Sequence, residues 1–117
     1  MLDRHAIDQL IEDIGQDVFV RLSRQFLDET AERITAIKAC RQNDEWKELA
    51  RHAHSLKSTA LSFGLRQTGE LAAALQHAGD RGQVASIDQL TPDLFAAATA
   101  ESREFADLCD QLALSSQ

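Results

Sequence analysis

The chain has 117 residues, of which 44% are hydrophobic and 5% aromatic, and its formal net charge is −7. This length suits one core, so we expect residues 1–117 to form a single domain. The acidic balance argues against a nucleic-acid partner. No apolar run approaches the ~20 residues of a membrane span, and the acidic, amphipathic N-terminus does not resemble a signal peptide. We therefore expect a cytoplasmic protein.

The first two predicted helices are separated by a glycine. Helix-forming residues dominate the sequence, and Asp3 can cap a short first helix that ends at Gly15. Asp17 opens a long second helix that runs to about Cys40, with apolar residues on more than one face. Cys40 and Cys109 each lie within a helical apolar pattern. We expect both to be buried thiols rather than a disulfide or a metal pair.

The third and fourth helices are also delimited by turn residues. Asn43 is predicted to cap the third helix, which reaches about Phe63 and ends at Gly64. The fourth helix is predicted from about Leu65 to Ala78, and the glycine-containing sequence GDRGQ then forms a turn.

The last part of the chain begins with an ambiguous segment. Residues 84–90, VASIDQL, fit either a loop or one or two helical turns. Thr91 followed by Pro92 is typical of an N-cap with proline at the first helical position, so this pair predicts the start of the last helix. A short helix followed by four longer ones with short connections predicts an all-α fold. The expected architecture is an up-down four-helix bundle with a short additional N-terminal helix.

The third helix carries a polar flank beside its apolar seam. His54 lies about 100° from this seam, and Lys57 and Ser58 share its patch of surface one turn further on. A neutral imidazole can attack phosphorus. Lys57 can stabilise the charge that a phosphoryl group brings, and the hydroxyl of Ser58 or Thr59 can donate a hydrogen bond to it. The spacing alone favours a surface histidine without a role over a nucleophile. The seam itself consists of Trp46, Leu49, Ala53, Leu56, Ala60 and Phe63.

The string AHSLKSTALSFG, residues 53–64, resembles the signature of histidine-containing phosphotransfer domains. The family pattern is roughly H-x-L-K-G-S-[SA]-x-x-[LFVI]-G-A, followed by leucines on the next helix. The sequence departs from it at Ser58, where the family has Gly, so a side chain stands one turn from the nucleophile. Other departures are Thr59, Leu65, Thr68 and Gln76. The matching residues are His54, Leu56, Lys57, Ala60, Phe63, Gly64 and Leu75.

The resemblance implies a phosphorelay carrier rather than a self-sufficient enzyme. In such families the histidine, here His54, accepts a phosphoryl group from an aspartyl phosphate on a receiver domain and passes it to another receiver. The partners are response-regulator receiver domains and hybrid sensor kinases. The receiver supplies Mg²⁺, so we expect no intrinsic cofactor or metal, and we expect a monomer. The sequence contains neither GxxxxGK[ST] nor GxGxxG, so we expect no ATP binding and no autonomous kinase activity.

A carrier also needs a docking surface around its nucleophile. We expect an apolar patch with a polar rim, formed by the first two helices and the flank of the third. The candidates are Ile7, Leu10, Ile11, Phe19, Val20, Ala50 and Leu61.

Three other functions stay open from the residues. The dimeric phosphoacceptor domain of a sensor kinase also presents a histidine on a bundle helix, although it usually has an acid beside that histidine and two helices per chain. A helical metal or cofactor binder is disfavoured, because His52 and His54 stand two apart and point to opposed faces. An interaction module with the same fold and no phosphotransfer is the third.

Overall fold

The computed structural model describes residues 1–115, and all secondary structure in this range is helical. The helices are α1 (Arg4–Ile14), α2 (Gln16–Gln42), α3 (Trp46–Ser62), α4 (Arg66–Asp80) and α5 (Val84–Ser115). Helices α2 to α5 form a ring in which each packs against two neighbours, while α1 contacts α2 and α3. The prediction of a four-helix bundle with an extra N-terminal helix is confirmed. None of the helices within residues 1–115 is both long and apolar enough to cross a bilayer.

Two clusters of buried side chains fill the bundle. The cluster under α1 is aromatic: the rings of Phe26 and Phe63 stack with centroids 4.4 Å apart, and Phe105 meets Phe19, Phe26 and Phe63 edge-on at 5.9, 5.4 and 6.0 Å. The second cluster is mainly aliphatic, with members from α2, α3, α4 and α5. Its largest fully buried side chains are Ile37, Leu49, Leu56, Leu75, Ile87 and Leu94.

Small residues bring α4 close to α3. A Cβ atom at Gly69 would clash with the side chain of Leu61, and one at Gly79 would lie 3.1 Å from the Cβ of Ala50. These two contacts define the register in which α3 and α4 run antiparallel. In this register the middle of α4 lies opposite His54.

The short helix α1 is held against the turn between α3 and α4. Gly64 has φ of +84°, and its carbonyl oxygen accepts a hydrogen bond from the Asp3 N–H at 2.8 Å. A Cβ at Gly64 would lie 2.7 Å from Cγ1 of Ile7, so only glycine fits this left-handed position. Asp3 also caps α1, because its Oδ1 accepts from the N–H of Ala6 at 3.2 Å. The predicted cap at Asp3 and helix ends at Gly15 and Gly64 are confirmed.

The prediction that the last helix starts at Thr91 is wrong. Helix α5 continues through Pro92, and residues 84–90 form its first turns. Proline removes one backbone hydrogen bond to the preceding turn, while the Thr91 hydroxyl donates to the Ile87 carbonyl at 2.6 Å. Ile87 and Leu94, on either side of the proline, are both 0% exposed. Their burial keeps the two parts of α5 in one helix.

The predicted cap at Asn43 is also wrong. Asn43 ends α2, where its N–H donates to the Ala39 carbonyl at 3.1 Å. Asp44 then adopts φ of +56°, and α3 begins at Trp46 with Glu45 as an N-cap that makes no side-chain hydrogen bond. Asn is favoured both where helices begin and where they end. Its presence three residues before Trp46 therefore did not distinguish these two roles.

Both cysteines are buried free thiols, as predicted. Burial raises the pKa of Cys40, and the carboxylates of Glu45 and Glu48 raise it further. Burial also raises the pKa of Cys109. Both side chains therefore stay in the thiol form and act as small apolar groups.

A buried carboxylate from α5 caps the N-terminus of α4. Glu101 is 1% exposed, and it accepts hydrogen bonds from the Gln67 N–H at 3.2 Å and from the Thr68 N–H and hydroxyl, both at 2.6 Å. The N-cap residue of α4, Leu65, offers no side-chain acceptor. Glu101 therefore satisfies N–H groups of the first turn and places a negative charge at the positive end of the helix dipole.

Replacement of Glu101 is expected to destabilise the bundle. Glu101→Ala leaves the two buried donors of Thr68 and the partly buried N–H of Gln67 without this acceptor. The free energy of unfolding should fall by about 2–4 kcal/mol. Glu101→Gln keeps one acceptor oxygen, so its loss should be smaller, about 1–2 kcal/mol. Urea unfolding followed by circular dichroism measures both. Glu104→Ala, at an exposed position of the same helix, is the control, and a loss there as large as that of Glu101→Ala would contradict this role.

Candidate functional site

His54 lies on the exposed side of α3, beside the groove between α3 and α4. Its Nδ1 is 3.1 Å from Oε1 of Gln76 on α4. With the Gln76 amide oxygen as the acceptor, Nδ1 is the donor, and a neutral ring in this tautomer has its lone pair on Nε2. The ring is thus held by one nitrogen while the other is available for chemistry.

The sequence pattern does not reveal Gln76 as a partner of His54. In the sequence, Gln76 stands out only as a departure from the family pattern after Leu75. The signal that could have located it is the antiparallel register of α3 and α4, which the close contacts at Gly69 and Gly79 define.

The other candidate site residues follow His54 on α3. Lys57 is half-buried and Ser58 is exposed. The Ser58 hydroxyl donates to the His54 carbonyl at 3.3 Å, and the Thr59 hydroxyl donates to the Ser55 carbonyl at 3.2 Å. On the helix, Ser58 lies about 40° from His54 whereas Thr59 lies about 140° away. The Ser58 hydroxyl is therefore the one that lies on the same side of α3 as the His54 ring.

His54 is the centre of an exposed stripe on α3. The members recur at steps of four, three, four and three, so they follow one face of the helix. All are exposed, and the exposed fraction of Leu61 is 43%. We refer to this set as the outer stripe of α3; it consists of Lys47, Arg51, His54, Ser58 and Leu61.

The prediction of a docking role is wrong for three of the seven residues, because these three lie in the interior. Ile7 and Phe19 are 0% exposed and Ala50 is 3% exposed. Ile7 packs at Gly64, Phe19 is part of the aromatic cluster, and Ala50 faces Gly79 of α4. None of the three reaches the surface of the folded protein.

The remaining docking candidates divide between two places. Leu61 lies on the outer stripe, two turns from His54. Leu10, Ile11 and Val20 are half-buried and pack on the aromatic cluster beneath α1. Leu61 is therefore the predicted apolar docking residue that shares a face with His54.

The neighbouring histidine contacts a different helix. His52 is half-buried, and its Nδ1 accepts a hydrogen bond from the Arg33 guanidinium of α2 at 2.8 Å. His52 and His54 therefore cannot bind one ion together. Among residues 1–115, no group of three or more His, Cys, Asp or Glu side chains is arranged to hold a metal ion.

Comparisons with known proteins bear on this arrangement. No curated protein sequence gives a significant match. The fold is similar to the crystal structure of histidine-containing phosphotransfer protein B (HptB) from Pseudomonas aeruginosa PAO1, with a TM-score of 0.88 and 20% sequence identity over 94% of this chain and 95% of that chain. The family model of the Hpt domain matches residues 21–115, a range that includes the outer stripe and Gln76. The chain belongs to the Hpt domain family, the histidine phosphotransfer carriers of phosphorelays.

Proposed function

We propose that His54 is the phosphoacceptor of this Hpt domain and that the phosphoryl group is carried on Nε2. The observation that carries this proposal is the contact between Nδ1 and Gln76 in an exposed ring. With Nδ1 as the donor, the lone pair of the neutral ring is on Nε2. Phosphoryl transfer depends mainly on in-line placement and on charge stabilisation. A ring held by a hydrogen bond on a packed helix provides the placement.

The transfer reaction involves His54 of this chain and an aspartate of the partner receiver domain. The Nε2 lone pair of His54 attacks phosphorus, the P–N bond forms, and the P–O bond to the partner's aspartate breaks. The carboxylate leaves with the electron pair, while Nδ1 keeps its proton. Transfer to the next receiver is the reverse reaction with a different carboxylate.

Lys57 and Ser58 are proposed to stabilise the phosphorylated form. Lys57 follows His54 by three residues, so its ammonium can reach a phosphoryl group on the ring as a point charge. The Ser58 hydroxyl is bonded to the His54 carbonyl in the structure, and rotation about its Cα–Cβ bond would direct it towards the phosphoryl oxygens. Thr59 is the weaker candidate because it lies on the other flank of α3.

The proposal extends to the partners. Hpt domains exchange phosphoryl groups with receiver domains, and we propose that this chain does so, with a hybrid sensor kinase as a further source of the phosphoryl group. Mg²⁺ would come from the receiver, and the chain would bring no cofactor and no kinase activity of its own. Because one chain forms the complete helical ring, we propose that residues 1–117 act as one monomeric domain, in the cytoplasm where receiver domains work.

Incubation with a panel of phosphorylated receiver domains tests this function. Radiolabel should move to the chain and should be labile in acid and stable in base, as expected for phosphohistidine. Phosphoramidate, a small phosphoryl donor, should produce the same modification without a protein partner. If neither donor labels the chain, it is an interaction module without phosphotransfer. Sedimentation showing an obligate dimer would favour the sensor-kinase alternative.

Gln76→Leu is expected to slow phosphotransfer while leaving the fold intact. Loss of one hydrogen bond worth about 1 kcal/mol predicts a rate reduction of about fivefold. Nitrogen-15 NMR of the imidazole should show a shift away from the Nδ1-protonated tautomer. Gln67→Leu, at an exposed position of the same helix, is the matched control. An unchanged tautomer in Gln76→Leu would contradict the positioning role.

A further inference from the structure

Charge is distributed unevenly around the bundle. Helix α3 carries three basic and one acidic residue, a formal charge of +2, although the whole chain has −7. Helix α5 carries six acidic and one basic residue, a formal charge of −5. In the ring of helices, α3 packs against α2 and α4, so α5 lies diagonally across from it. Asp44 and Glu45 directly precede α3 and offset its charge, while one of the α5 acids, Glu101, is buried. The side of the bundle that presents His54 is therefore less acidic than the opposite side.

The outer stripe of α3 has two chemically different halves. Lys47 and Arg51 precede His54, and Leu61 follows it. At 1.5 Å per residue, Lys47 and Leu61 each lie about 10 Å from His54 along the helix axis. Arg51 forms an ion pair with Glu48 at 3.2 Å but keeps 73% of its side chain exposed. The stripe thus offers cations on one side of the nucleophile and an apolar contact on the other.

We propose that this stripe docks the partner in one orientation, with an acidic surface of the receiver over Lys47 and Arg51 and an apolar surface over Leu61. The inference rests on the proposed function, because it takes the partner to be the receiver domain that exchanges phosphate with His54. The exposed Lys47 and Arg51 attract an acidic surface locally, whereas α5 repels it, so the charge asymmetry orients the encounter. The apolar contact then prolongs the complex.

Charge reversal on the stripe tests the electrostatic half of the proposal. The measurement is the second-order rate of transfer from the receiver domain that labels the wild-type chain fastest. The double variant Lys47→Glu with Arg51→Glu should reduce this rate by about tenfold at roughly 0.02 M salt. At about 0.5 M salt the reduction should fall below about threefold, since screening weakens steering.

Arg103→Glu and Glu104→Lys on α5 supply the matched controls. Both positions are exposed and lie on the opposite side of the bundle. Arg103→Glu changes the net charge in the same sense as each stripe variant, yet it should alter the rate by less than about twofold. If Arg103→Glu slows transfer as much as Lys47→Glu alone, net charge rather than the stripe controls association, and the docking inference is overturned.

Leu61→Ala tests the apolar half. We expect the second-order rate of transfer to fall by about threefold at both low and high salt, because the contact is not electrostatic. Leu61 also packs at Gly69, so a thermal melt must show that the variant is folded. A loss that disappears at high salt, or no loss in the folded variant, would overturn this half.

One further measurement separates this inference from the proposed function. Phosphoramidate needs no docking surface, so it labels the wild-type chain if His54 is a phosphoacceptor. Absence of that label together with no transfer from the receiver panel would overturn the proposed function. Labelling by phosphoramidate combined with receiver rates that are insensitive to Lys47→Glu and Arg51→Glu would overturn the docking inference alone.

Discussion

Replacement of His54 by glutamine is expected to abolish phosphorylation of the chain while leaving its stability unchanged. Glutamine is polar and of similar size, but it has no ring nitrogen with a lone pair that can attack phosphorus. Because His54 is exposed, the free energy of unfolding should change by less than about 0.5 kcal/mol. Transfer of radiolabel from a phosphorylated receiver domain measures the first effect, and urea unfolding measures the second.

His52→Gln is the matched control for this prediction. His52 lies two residues away but contacts Arg33 of α2, so this variant should still take up label. Lys57→Ala should also take up label but should transfer it more slowly or lose it faster, since the acceptor remains and the cation is removed. Label on a histidine of His54→Gln at the wild-type level would show that His54 is not the acceptor.

Replacement of Phe105 by alanine is expected to cause a large loss of stability. Phe105 is 0% exposed and contacts three other phenylalanine rings. Removal of a buried aromatic ring costs about 3–5 kcal/mol, because apolar surface and packing contacts are lost and a cavity remains. This is a large part of the free energy of unfolding of a native domain, which is about 5–15 kcal/mol. Urea unfolding measures the change.

Phe63→Ala provides the comparison within the same cluster. Phe63 is the C-cap residue of α3 and stacks on Phe26 with an angle of 9° between the rings. It is only half-buried, so its loss should be smaller, about 2–3 kcal/mol. If Phe63→Ala destabilised the chain more than Phe105→Ala, burial would not determine which ring contributes more to the free energy of unfolding.

Short-range sequence patterns were sufficient to predict features that depend only on neighbouring residues. The side chain of Asp3 reaches an N–H three residues away, and Gly64 provides the left-handed conformation that ends α3. The alignment of His54 with Lys57 and Ser58 follows from helix geometry alone. These features need only the residues within about one turn, so they were predictable once the helices were recognised.

The same local signals failed where packing outweighed them. Thr91–Pro92 has the pattern of a helix start, yet burial of Ile87 and Leu94 continues α5 through the proline. Periodicity also placed Ile7 and Phe19 on apolar faces without showing what covers those faces. In the bundle they are covered by neighbouring segments, so they belong to the core rather than to a docking surface.

The sequence by itself determined the helical bundle, the family resemblance and the position of His54, because these depend on helical periodicity and short-range spacing. Only the tertiary structure decided which side chains hold the site in place. Gln76 is 22 residues from its partner His54, and Glu101 is 33 residues from its partner Thr68. Thr68 departs from the family pattern, and its hydroxyl makes a buried hydrogen bond to Glu101. These contacts depend on the register and order of packed helices, which arise from many contacts distant in sequence rather than from any one segment.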